Sequence, residues 1–295
     1  MTVALTTIAQ VAILTFVLAS MIGLGLSLTV QQIVTPLKDV RLVLLALASS
    51  FVVAPAAAWA IANLFGLSDD QSLGLLLLGV AGGAPFLPKL AQLARGAVAY
   101  SVGLMVLLMV VSVAYVPLVL PFLVDGVTVS AWDIARPLLL LMLLPLVVAL
   151  AVRARYPGSA SLAPRLNQIS TMALALGIGA AVLVGLPKIW DQVGTGVILA
   201  TLLFTVVCLV VGWLLGGSGR EQRVVTSLGT GQRNLSAALL IAGTSFVDSP
   251  NVVVTVMVAS LVLTGALLLV AGELGKRAGA GASPTREAGS APSEH

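Results

Sequence analysis

Two basic residues, Lys89 and Arg233, stand inside long apolar stretches, and no acidic residue occupies the interior of any such stretch to pair with them. A Lys or Arg at the middle of a membrane helix costs about 2.5–3.5 kcal/mol on insertion scales. An unpaired buried charge is expensive. A water-filled cavity that holds an anion resolves both costs. For Lys89 a second reading stays open. It lies six residues before Arg95, about 9 Å along a helix at ~1.5 Å per residue, and a long side chain reaches the interface from that depth. Arg233 lies about ten residues beyond Arg223, where snorkelling is harder.

Both charges adjoin sequence that breaks helices. Around Lys89 come Gly82, Gly83, Pro85 and Pro88; around Arg233 come Gly229, Thr230, Gly231, Gln232 and Asn234. Glycine and proline weaken helical hydrogen bonding, and open backbone at bilayer depth is tolerated only where protein or water covers it. Substrate contacts are therefore expected from Lys89, Arg233, Asn234, Gln232, Thr230 and Ser101. The backbone at Gly82, Gly83, Pro85, Pro88, Gly229 and Gly231 is expected to form the crossing. Ser50, Thr226, Ser227 and Ser236 are weaker candidates for a cavity lining.

Other chemistry is excluded by what the chain lacks. Cys208 is its one cysteine and His295 its one histidine, at the last position. No internal disulfide, multi-cysteine zinc site or histidine pair follows, so neither a metal nor another cofactor is expected. No segment carries a His, Asp or Glu placed as a general base, so an enzyme is not expected. There is no phosphate-binding P-loop.

The elements that must position these residues follow from composition. The 295 residues are 59% hydrophobic and 9% charged, against roughly 25% charged in a soluble domain. Too few charges remain to cover a water-facing surface, and a nucleic-acid binder is excluded despite the net charge of +4. The chain reads as an all-α integral membrane protein in contact with a lipid bilayer. Nine apolar segments, at 4–29, 41–65, 72–94, 98–123, 132–152, 168–187, 195–216, 224–247 and 252–272, are each long enough to cross a core about 30 Å thick. They make one transmembrane unit over 1–272, followed by a disordered tail over 273–295.

Basic residues gather in alternate loops. Lys38 and Arg41, Arg95, Arg153, Arg155 and Arg165, Arg220 and Arg223, and Lys276, Arg277 and Arg286 fall on one side. The positive-inside rule makes that side cytoplasmic, which puts the N-terminus outside and the C-terminus inside, in a multi-pass protein of the cell membrane. The broken segments are the third and the eighth. An odd offset gives them opposite directions, the arrangement of an inverted repeat whose discontinuous helices cross near the midplane and form a transport site.

The order of these motifs resembles the bile acid:sodium symporter family. Met21-Ile22-Gly23-Leu24-Gly25-Leu26-Ser27-Leu28-Thr29 is similar to a glycine-rich helix end. Ala54-Pro55-Ala56-Ala57-Ala58-Trp59 is similar to a proline-containing helix. Gly82-Gly83 through Leu93-Ala94-Arg95-Gly96 to Tyr100-Ser101-Val102 resembles the first crossing helix, and Gly231-Gln232-Arg233-Asn234 falls in the second. The likeness spans about residues 5–272 and matches the family's ten helices from the second onward.

The resemblance implies a panel domain, a core domain, two sodium ions behind the crossover, and an amphipathic organic anion carried by alternating access. It also exposes departures. The family's crossing-helix Glu is Gly229 here, and the Gln after it is Arg233. Asn234 and Ser101 are retained, the Thr after Ser101 is Met105, an earlier Gln is Ser50, and a Ser-Asn pair falls near Leu87-Pro88. Sodium has lost its anionic ligand, and a residual sodium site near Ser101 and Asn234 stays open. The expectation is a secondary transporter of small organic anions that is not sodium-coupled in the usual way. The alternatives are a non-transporting receptor or assembly subunit on the same fold, and a sodium symporter that uses backbone ligands.

Overall fold

The structure is a computed structural model that describes residues 2–123, 132, 136, 139–192, 194–246 and 249–280. Every regular element among them is helical. Along the chain these are α1 (Thr2–Ser27), α2 (Val30–Val34), α3 (Val40–Ala48), α4 (Ala54–Leu64), α5 (Asp69–Val80), α6 (Leu87–Leu93) and α7 (Val98–Leu123). Then follow α8 (Leu144–Arg155), α9 (Ala163–Asp191), α10 (Val197–Leu215), α11 (Arg220–Gly231), α12 (Leu235–Ser245) and α13 (Pro250–Ala280). A π-helical segment, Ser49–Val53, joins α3 to α4 without a loop.

Among the described residues, five stretches are long and apolar enough to cross a membrane: Gln10–Ser27, Val40–Leu64, Val98–Leu120, Val197–Leu215 and Asn251–Gly279. The chain is a multi-pass membrane protein. The segment expected at 168–187 lies within α9. Residues 133–135, 137 and 138 of the one expected at 132–152 lie outside the described residues, and from Leu139 onward it forms a π-helical segment and α8. The segments expected at 72–94 and 224–247 are each two shorter helices around an interruption, α5–α6 and α11–α12.

The starts of the helices are written in the sequence. Ser68 and Gln71 form a reciprocal capping box at the head of α5, with Asp69 and Asp70 in its first turn, where carboxylates suit the positive end of the helix dipole. Asp39 caps α3 by accepting from the Leu42 N–H at 3.0 Å. Asn234 caps α12 in the same way, accepting from the Ala237 N–H at 3.1 Å.

Two packed groups result. In the first, α1 lies along α9 and α8. A Cβ at Gly25 would stand 2.6 Å from the Ala149 side chain, so a small residue lets those helices touch. The second group holds α3–α7 and α10–α13 around a core that includes Leu77, Leu90, Leu104, Met105 and Phe204. Here α10 and α11 meet backbone to backbone, since a Cβ at Gly212 would stand 2.7 Å from the Ser227 Cα. The groups join where α9 meets α13 and where Phe16 sets its ring edge-on to Phe86, 6.0 Å between centroids.

Of the tail expected over 273–295, residues 281–295 lie outside the described residues, and the first part differs from expectation. Residues 273–280, expected to be disordered, continue α13 as helix. Glu273 and Arg277 pair across one turn at 2.8 Å, and the Leu274 carbonyl accepts from Arg220 at 2.8 Å. These contacts give a Gly- and Ala-rich stretch a helical partner that composition alone does not reveal.

Gly83 controls how closely the first interruption approaches α7. Its φ is +75°, and a Cβ there would collide with the Met109 backbone. Gly83→Ala should therefore cost about 2–4 kcal/mol from left-handed strain and overpacking. A thermal-unfolding midpoint of the purified variant equal to that of the parent would refute this close approach.

Candidate functional site

The two interruptions meet. After Val80 the chain leaves the helix at Ala81 and returns at Leu87. Gly83 supplies the left-handed step. Pro88 sits at the second position of α6, where a missing N–H leaves no helical bond unmade. After Gly231 the backbone is extended at Gln232 and re-enters helix at Leu235. The Asn234 N–H donates to the Ala81 carbonyl at 2.8 Å, and Asn234 Nδ2 donates to the Gly83 carbonyl at 3.1 Å. With Oδ1 capping α12, the backbone N–H and amide of Asn234 tie one break to the other. Ser112 of α7 donates to the Gly82 carbonyl at 2.9 Å, so backbone freed by the break is satisfied from a third helix.

Arg233 stands beside this junction, only 4% exposed. Its Nη1 donates to the carbonyls of Ser50 and Gly79, each at 3.2 Å, and its Nη2 donates to the Thr230 carbonyl. The source of each acceptor is clear. Gly79 and Thr230 lie in the last turns of α5 and α11, where carbonyls lack helical donors. Ser50 lies in the π-helical segment that precedes Pro55, and Pro55 has no N–H to give back to it. The neighbouring Phe51 carbonyl accepts from the Tyr115 hydroxyl.

Electrostatics favours a cation here. Two helices end at the guanidinium, and each carboxyl end carries about half a negative charge. Among the described residues no carboxylate pairs with it; the ion pair among them is Glu273–Arg277. Arg233 Nε and Gln232 Oε1 are buried without partners among those residues.

Thr230 completes the junction through its side chain, 2.8 Å from the Ser49 hydroxyl. Gly229 and Gly231 serve as seats. A Cβ at Gly229 would lie 3.1 Å from the Leu104 side chain and 3.2 Å from that of Leu87. One at Gly231 would lie 3.1 Å from Leu267 and 3.2 Å from Leu209. The surroundings of Gly229 are thus apolar.

The remaining residues are placed differently. Ser101 is fully buried and donates to the Val98 carbonyl of its own helix at 2.6 Å. Lys89 is half-buried on α6; its backbone N–H donates to the Phe86 carbonyl at 3.0 Å, and its ammonium group has no hydrogen bond among the described residues. Thr226 and Ser227 tie helices together, Thr226 to the Tyr100 hydroxyl at 3.1 Å and Ser227 to the Leu209 carbonyl at 2.7 Å. The side chain of Ser236 lies outside the described residues. Ser49, Ser112 and Tyr115 were not anticipated. The Ser49-Ser50 pair just before Pro55 is the signal that points to the first of them. Ser112 and Tyr115 have none, since a hydroxyl in a long apolar helix usually serves its own backbone.

A family model for the Sodium Bile acid symporter family matches residues 12–192, more than half of the chain. That match covers α1 through α9, including the first interruption. A curated relative, "Probable sodium/metabolite cotransporter BASS3, chloroplastic" from Arabidopsis thaliana, is 24% identical over 255 residues, 84% of this chain. The chain spans 59% of that relative's length. The apolar helices, the paired interruptions and the family match lead to one conclusion: this chain belongs to the sodium bile acid symporter family of membrane transporters.

Proposed function

We propose that this protein is a secondary transporter of small organic anions, working by alternating access, in which the Arg233 guanidinium takes the place of a coupling cation. The observation that carries this reading is the guanidinium set on the carbonyls of Ser50, Gly79 and Thr230 where the two helix breaks meet. Helix carboxyl ends and unwound carbonyls are the groups that hold sodium in transporters with broken helices. A mobile cation brought to ~4 Å from a fixed one is repelled by about 4 kcal/mol at an effective dielectric near 20. The leucine surroundings of Gly229 add to this, because they leave apolar contacts where the family resemblance expects a carboxylate.

On this reading the nine segments form an inverted repeat across the cell membrane, with the N-terminus outside and the C-terminus cytoplasmic. The anion is drawn from hydroxy, keto, pantoate-like or steroid-like acids. Lys89, half-buried and with an ammonium group that has no hydrogen bond among the described residues, is the residue to meet its carboxylate, with Gln232 and Asn234 at the crossing. The competing reading is sodium coupling through backbone oxygens, and the name of the Arabidopsis relative favours it.

Two measurements separate them. In reconstituted vesicles, uptake of a transported acid should be unchanged when sodium is replaced on both sides by N-methylglucamine, and purified protein should gain no thermal stability from sodium. Uptake that collapses without sodium would establish the competing reading. Separately, Arg233→Ala leaves three carbonyls without their donors and should lose roughly 2–4 kcal/mol of stability together with most of its transport. Arg233→Lys keeps the charge without the fork and should recover only part of both. A fully active Arg233→Ala protein would remove the guanidinium from the mechanism.

A further inference from the structure

A second cluster of charge lies away from the crossing, in a cavity of about 350 Å³ where the start of α3 meets the end of α10 and the start of α11. Arg41 and Arg223 line it together with Asp39, Leu45, Leu214 and Leu215. Arg223 Nε donates to the Gly217 carbonyl at 2.7 Å. That bond anchors the side chain and leaves both Nη groups without a hydrogen-bond partner among the described residues. Arg41 is exposed and has none either. Asp39 is the acid on the wall, and it is already used as the cap of α3; it forms no ion pair with either arginine. Two arginines therefore line one cavity together with leucine side chains, and Leu214 is 71% exposed.

We propose that this cavity binds an anionic phospholipid of the leaflet on the arginine-rich face, with the phosphate held by Arg41 and Arg223 and the glycerol end of the acyl chains along Leu45, Leu214 and Leu215. The guanidinium fork matches two phosphate oxygens at once. Leucine side chains in the lining suit a ligand with hydrocarbon behind its phosphate, and suit a free hydrated anion poorly. The position gives the lipid a mechanical role. Arg41 is on α3, which runs without a loop into the segment that holds the Ser50 carbonyl; Arg223 is on α11, which ends at the Thr230 carbonyl. A phosphate that bridges the two arginines clamps, at one end, the same two elements that Arg233 joins at the other. The proposal does not depend on the transport reading.

Native mass spectrometry of the full chain, released from micelles doped with phosphatidylglycerol or phosphatidylcholine, tests it. Retention of phosphatidylglycerol should exceed that of phosphatidylcholine, and Arg41→Gln should weaken it about fivefold or more. Arg165→Gln removes one charge from an exposed site elsewhere and should leave retention unchanged. Arg223→Gln should weaken it as Arg41→Gln does; because Arg223 also holds Gly217, its thermal midpoint is measured alongside, and the Arg41 variant alone decides. Equal losses for Arg41→Gln and Arg165→Gln would mean diffuse attraction to the surface and overturn the site. Unchanged retention in Arg41→Gln would overturn it too. Inorganic phosphate that displaces the lipid at equal concentration would show a soluble anion to be the ligand.

Discussion

A guanidinium with no carboxylate to meet it among the described residues, held in a membrane protein by three main-chain carbonyls, is the interaction on which the centre of this structure depends. Burying an ionised group is costly unless polar partners answer it, and three carbonyls answer this one while its Nε has no partner among the described residues. Here the carbonyls need a donor as much as the charge needs acceptors. The carboxyl ends of α5 and α11 and the π-helical segment before Pro55 all leave acceptors inside the protein. One planar fork reaches all three. Lysine, with a single point of charge, has no equivalent reach.

The junction is also a meeting of weak elements. Each broken helix gives up backbone hydrogen bonds at its interruption, and the partner supplies replacements. Asn234 works from one side, through its N–H and amide on Ala81 and Gly83, while Ser112 and Tyr115 reach in from α7. The result is a connection between α3–α4, α5–α6, α7 and α11–α12 made almost wholly of polar contacts, set within a core that is otherwise apolar.

The family match ends at residue 192, before the second interruption, so the segment with Arg233 lies beyond the matched stretch. In that segment leucine side chains lie near the Gly229 backbone, and Arg233 sets a fixed positive charge on the carbonyls of the junction.

The sequence by itself determined the class of the molecule. With 9% charged residues no soluble fold was open to it, and the breaks at Gly82-Gly83 and Gly231-Gln232 were readable because glycine and proline act locally, through their own backbone. Arg233 and Asn234 were readable as anomalies for the same reason: a polar side chain in an apolar run must find a partner. Which partner was decided only by the tertiary structure. Carbonyls belong to every residue and carry no mark in the sequence, so the acceptors at Ser50, Gly79 and Thr230 emerged only when remote helices were brought together. The same holds for Ser101, which turned back to its own helix, and for residues 273–280, which stayed helical. Their environment is set by contacts far away in the chain, and composition does not record such contacts.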